Sequence, residues 1–245
     1  MDLIRLVSSL RAGGIIWCNV RGKGTRHFIS EFVQPHSYMV QRLALDLWPA
    51  DRTQLGFSTV KRFLDWIVEK IRYKYDVEIH KQTDFWQFPW ETLILKTGDC
   101  EDTTFLTQSV LEALGFNSRG VLGIVNVNGE KYRHAWVEIE VDGYTRVIET
   151  TYEDPGADYI SFLRPSFYEP VFFFNSKSCV YVGPEVVDAY SDLLGFKPRW
   201  PKQLPETHKC ILIEMHRCKS RRGISAEEIK EAWKKKIEGR DRETN

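Results

Sequence analysis

The sequence has no excess charge of either sign. Over 245 residues, 34 Lys and Arg balance 34 Asp and Glu, so no global field draws the chain to nucleic acid or to an anionic membrane. It has no apolar run approaching the ~18 residues that cross a bilayer. Its first twenty residues are interrupted by Arg5 and Arg11 and do not read as an export signal. It has no CxxC pair. The five cysteines, Cys18, Cys100, Cys179, Cys210 and Cys218, are odd in number and widely spaced, which argues against both a disulfide framework and a zinc ribbon. A reducing, cytoplasmic setting is the simpler expectation, with a Cys210–Cys218 pair as the alternative. His208 with Cys210 and His216 with Cys218 make a thin zinc set. No internal repeat or low-complexity tract is present.

What is there is an ordinary globular composition, 42% hydrophobic and 28% charged, with an aromatic share of 13% that suggests a well-filled core. The stretch from Thr59 to Asp76 carries Phe63, Ile67, Val68 and Ile71 at helical spacing. "DFWQFPWETLIL", from Asp84 to Leu95, holds Pro89 among aromatics and reads as a loop entering a short helix. Asp99 then suits an N-cap and Asp102 the third helical position, where an acid favours the exposed amides. Phe105, Leu106, Val110, Ala113 and Leu114 form the buried face, and Gly115 is the stop. Beyond it the period changes to that of strands in "SRGVLGIVNV", "YRHAWVEIEV" and "TRVIETTY". "EPVFFFNSKSCVYVG" adds one or two more. The proline-rich "FKPRWPKQLP" reads as a linker, and a capping box from Ser225 to Glu228 opens a basic C-terminal helix. That helix is a candidate docking arm. The expected organisation is an N-terminal extension over 1–58, a catalytic domain over 59–195, and a linker with the basic helix over 196–245.

One cysteine stands among acids: "TGDCEDTTF" places Cys100 at the first helical position. Unpaired amides and the helix dipole favour a thiolate there. The candidate base is His134, on a strand. Asp142-Gly143 signals a tight hairpin, and a two-residue turn sets Trp136 opposite Glu149 and His134 opposite Thr151. Alternation then puts His134, Trp136, Glu149 and Thr151 on one face, with Val137, Ile139 and Val141 on the other. Glu149 lies a diagonal step from His134, within a long side chain's reach, and can orient the imidazole. A three-residue loop with a bulge would instead turn Glu149 away. For an oxyanion, the Cys100 backbone N–H is one donor, with Gln87 or Trp86 as the second. Trp136 and the loop aromatics read as core.

"GDCEDTTFLTQSVLEALGFNSR" followed by "HAWVEIEVDGYTRVIETTY" resembles the transglutaminase-like core. With "IRYKYD" and "DFWQFPWETL" upstream, the chain is similar to the bacterial transglutaminase-like cysteine proteinases over about residues 60–155. The resemblance implies an α+β, papain-like fold with a catalytic helix packed on an antiparallel sheet. It also implies a Cys-His-acid site of Cys100, His134 and Glu149, with Glu where the family usually has Asp. In that group the acids flanking the cysteine bind calcium, which implicates Asp99 and Glu101, although two acids alone are fewer ligands than calcium wants. The expected activity is that of a thiol-dependent hydrolase, a cysteine peptidase or amidase acting on peptide or protein through a thioester. Two alternatives are a protein-glutamine transglutaminase and a non-catalytic interaction domain of a larger assembly.

Overall fold

The computed structural model describes residues 21, 27–48, 56–82, 84–127, 129–141, 143–153, 160–161 and 168–181. The linker, the basic C-terminal helix, Cys18, Cys210, Cys218, His208 and His216 lie outside the described residues.

A short 3-10 helix, Ile29–Phe32, precedes helices α1 (Tyr38–Leu47) and α2 (Phe57–Lys70). The helical stripe stops at Lys70, sooner than its periodicity suggested. Arg72–Tyr73 is instead a strand, β1, paired parallel with β2 (Thr97–Gly98), so that Tyr73 lies beside Gly98. Between them are the single turn α3 (Asp76–Ile79) and α4 (Pro89–Leu95), which begins on a proline preset for a first helical turn. Helix α5, Cys100–Leu114, starts after Asp99 and ends on Gly115, whose φ of 86° is a left-handed cap that glycine adopts without strain.

Six described strands follow: β3 (Asn117–Val127), β4 (Glu130–Val141), β5 (Tyr144–Ile148), β6 (Ile160–Ser161), β7 (Tyr168–Phe174) and β8 (Cys179–Tyr181). They form one antiparallel sheet in the order β6-β5-β4-β3-β7-β8. The result is an α+β fold with helices on an antiparallel sheet, as the sequence suggested. The β4–β5 register is the one a two-residue turn dictates, Val141 opposite Tyr144 and Val137 opposite Ile148. Gly143 has a φ of 78°, the positive value a tight hairpin turn needs.

The alternation of β4 divides the core. Val137, Ile139 and Val141 pack with Ile148 against α1, α2 and the apolar side of α5, through Val40, Leu43, Phe63, Ile67, Leu106 and Val110. Ala135, with Leu122, Ile124, Phe172 and Phe174, packs against Cys100, Phe105, Trp86 and the 3-10 helix residues Ile29 and Phe32. On the far face Trp136 joins Val121, Val125, Val147 and Tyr168. Each large apolar side chain so buried contributes about 1.5–3 kcal/mol. Gly123 makes room for Trp136, since a Cβ there would collide with the indole. Residues 29–47, read from sequence as part of an extension, therefore complete the same core as the segment after residue 59. The helix α5 is enclosed beyond its apolar face: Thr103, Thr104, Thr107, Gln108 and Ser109 are buried too. Among the described residues no helix is long and apolar enough to cross a membrane.

Candidate active site

His134 and Glu149 meet. The imidazole Nε2 lies 2.9 Å from Glu149 Oε2, with both side chains buried. The carboxylate also accepts from the Tyr168 hydroxyl at 2.7 Å and from the Thr151 hydroxyl at 2.9 Å and backbone N–H at 3.3 Å. Burial alone would raise the Glu149 pKa, but the His134 charge and these hydrogen bonds outweigh it and hold the carboxyl below its usual value. An ionised Glu149 calls for a proton on Nε2, and in the neutral imidazole Nδ1 then keeps its lone pair. Nδ1 is buried and has no hydrogen-bond partner. The ring is flanked by Trp136 at 6.2 Å and Tyr168 at 6.3 Å between centroids, which fixes its plane.

Cys100 lies in the cluster that holds Ala135, and no hydrogen bond joins its sulfur to the unpartnered Nδ1 of His134. The β4–β5 ladder runs no further than Val137 and Ile148. Past that point α5 begins: Thr103 and Thr104 contact the Thr150 hydroxyl at 3.0 and 3.2 Å. The Ala135 backbone amide, one residue beyond His134, hydrogen-bonds the Cys100 sulfur. Segments from α5, β4 and the end of β5 thus converge.

The thiol has a second neighbour. Cys100 Sγ donates to Glu101 Oε2 at 3.1 Å. Burial pushes its pKa well above the usual value, the Glu101 and Asp99 charges push it further, and the Ala135 amide opposes them. Burial and the acids around the cysteine therefore oppose the thiolate that the helix dipole was expected to favour.

Those acids form a larger cluster than the sequence suggested. Carboxylate oxygens of Asp76, Asp84 and Glu101 lie within 4.8 Å of one another, as do those of Asp76, Asp99 and Asp102, and Asp99 and Glu101 group with the sulfur. One oxygen each of Asp76, Asp84 and Asp99 is buried without a hydrogen-bond partner. Burial, with charge from Glu101, raises Asp76 to about 10 and Asp84 to about 8, and drives Asp99 and Asp102 well above the ordinary carboxylate range. Asp76 and Asp84 were missed because they lie far from Cys100 in sequence and reach it through α3 and the loop after it.

Neither side chain proposed from sequence as an oxyanion donor has a free hydrogen to offer. The Gln87 amide donates to Asp102 Oδ2 at 2.7 Å and to the Thr97 carbonyl at 3.2 Å. Its backbone N–H goes to Asp102 Oδ1 at 2.7 Å. Trp86 is buried against Phe32 and Phe105, and its indole hydrogen-bonds Asp84. Both residues hold the acids and the core in place.

Residues 42–147 match the family model of the transglutaminase-like superfamily. Solved structures similar to it include calcium-bound LapG from Legionella pneumophila. It is 15% identical, with 72% of this chain and 97% of that one covered and a TM-score of 0.41. EGTA-treated LapG matches at 14% identity, covering 59% of this chain and 84% of that one, with a TM-score of 0.40. A candidate cysteine protease from Cytophaga hutchinsonii matches at 18% identity over 71% of this chain, with a TM-score of 0.38, and the match spans 59% of that protein's length. No curated protein matches the sequence.

Proposed function

We propose that the protein is a thiol-dependent hydrolase, a cysteine peptidase or amidase, with Cys100 as nucleophile, His134 as base and acid, and Glu149 as the group that orients the imidazole. The observation that carries this reading is a buried His134–Glu149 pair with a free Nδ1, one residue along β4 from the amide that binds the Cys100 sulfur. Nδ1 takes the thiol proton, and the sulfur attacks the carbonyl carbon of a peptide or side-chain amide. The electron pair of the carbonyl moves to oxygen, then returns as the C–N bond breaks. The imidazolium gives its proton to the leaving amine, while Glu149 stabilises the ring charge. Water, deprotonated by Nδ1, opens the thioester and restores the thiol.

The acid cluster fits a hard divalent cation such as calcium. Its donors are oxygens, several of them buried and unpartnered, and no nearby hydrogen bonds satisfy them. Asp76, Asp84, Asp99 and Glu101 would hold the ion, while Asp102 is already bound by Gln87. When bound, the ion supplies positive charge that offsets the carboxylates now holding the thiol protonated.

Incubation with a peptide library, with and without an added primary amine and calcium, read by mass spectrometry, tests the reading. Cleaved or deamidated peptides that depend on Cys100 support hydrolysis. Amine incorporation would make the protein a transglutaminase. No product with intact Cys100 would favour a non-catalytic interaction domain.

A further inference from the structure

Acyl transfer leaves negative charge on the substrate oxygen, and a lone backbone amide is a thin reception for it. With Gln87 and Trp86 committed elsewhere, the second donor must come from another element. Strand β1 supplies one. Its pairing with β2 sets Tyr73 beside Gly98, two residues before Cys100. The Tyr73 hydroxyl is buried and has no hydrogen-bond partner. A buried polar hydrogen without a partner is costly, a penalty that a fold retains where the group is completed by something else. Tyr75 packs edge-on against the ring at 5.3 Å and limits its swing. The backbone is also tied on this strand, by Tyr73 N–H to Glu153 at 3.2 Å and by the Lys74 N–H to the Gly98 carbonyl at 3.1 Å.

We propose that Tyr73 is the side-chain half of the oxyanion hole, its O–H donating to the oxygen of the tetrahedral adduct on Cys100 while the Cys100 backbone N–H donates from the other side. The proposal rests on the thiol reading above. Burial first, and then the neighbouring Cys100, Asp99, Tyr75 and Glu101, push the Tyr73 phenol well above its ordinary value and keep it protonated, as a donor requires. The Cys100 amide, in the first turn of α5, has no intrahelical carbonyl to bond.

Two reagents separate this role from others. A tripeptide aldehyde adds the Cys100 sulfur across its carbonyl, forming the S–C bond and moving the electron pair to oxygen, and the hemithioacetal oxygen occupies the oxyanion position. Iodoacetamide alkylates the same sulfur with loss of iodide and creates no such oxygen. Both are measured on the full chain with calcium chloride, for wild type, Tyr73→Phe and Cys100→Ala. Tyr73→Phe is expected to weaken aldehyde binding at least ~10-fold, toward the ~10²–10³ that one oxyanion donor is worth. Its alkylation rate should match wild type and its melting temperature should hold or rise, because the lost hydroxyl has no bond to give up and its burial penalty is relieved. Unchanged aldehyde affinity overturns the role of Tyr73 and leaves the thiol reading standing. Equal losses with both reagents also overturn it, by showing that Tyr73 acts on the thiol itself. A wild-type protein that forms no Cys100 adduct with the aldehyde defeats the thiol reading and takes this proposal with it.

Discussion

Replacing Glu149 by Gln keeps the side-chain shape and removes one charge. The carboxylate now accepts from His134, Tyr168 and both donors of Thr151. An amide has one oxygen, so one side of this set must face an NH₂ group. If the oxygen stays with the Thr151 N–H, the amide nitrogen faces His134, and the ring must move its proton from Nε2 to Nδ1 to accept. That tautomer has no lone pair for the thiol. The cost in stability is about 1–3 kcal/mol, or roughly 2–10 °C in melting temperature for a chain of this size. The cost in rate is about 10²- to 10⁴-fold, the scale at which a wrong imidazole tautomer impairs a triad. Acylation of Cys100 by p-nitrophenyl acetate, followed by release of nitrophenolate, reads the rate. A pH series adds a sign. Glu149 titrates below its usual 4.5 when folded, so its contribution is complete above that value and is lost as pH falls through the lower folded one. The stability gap between wild type and Glu149→Gln should therefore be widest at neutral pH and close under acid. A variant that acylates at the wild-type rate would refute the positioning role.

Other outcomes follow from the same geometry. Without divalent ions the folded chain holds protons on Asp76 up to about pH 10 and on Asp84 up to about 8, while the unfolded chain releases them near 3.8. Melting temperature in EGTA should then fall as pH rises from 4 to 8, and calcium should restore it by an increment that grows with pH and is lost in Asp76→Asn. Scanning calorimetry reads both. Gln87→Ala strips the side-chain donor from the buried Asp102 and should destabilise by about 1–3 kcal/mol, measured by urea unfolding. Cys179 is buried, which pushes its thiol up to about 12, so peptide mapping after brief iodoacetamide treatment should find it unmodified in the native protein. Gly123→Ala, which drives a methyl into Trp136, should destabilise by about 1–3 kcal/mol in the same unfolding assay.

Much of the candidate site's geometry was legible because its signals are local or follow from one turn. The Asp142-Gly143 pair fixed the β4–β5 register, and that register alone carried Glu149 to His134 across fifteen positions. Asp99, Cys100 and Gly115 were readable as helix boundaries from cap chemistry. Tyr73 was not legible. "IRYKYD" continues a helical pattern, and a two-residue strand exists only because Thr97 and Gly98 come to pair with it. Asp102 was readable as the acid at the third helical position, and it does accept from the Asp99 amide, but its burial and its bonds from Gln87 are contacts no local pattern encodes. The sequence also ranked the helix dipole above the neighbouring acids. Burial lifts the thiol first, and it also strengthens the nearby acids, because charges a few ångströms apart act more strongly in a dry interior than in water.

Whether Cys100 and the His134–Glu149 pair act as one unit is tested most directly by the rate of Cys100 alkylation with iodoacetamide from pH 5 to 9, with calcium present, in wild type and His134→Asn. Coupled groups predict a wild-type rate that exceeds the variant's by at least ~10-fold near neutral pH, with the variant catching up only as pH approaches the intrinsic range of a thiol. Superimposable profiles in the two proteins would contradict the account.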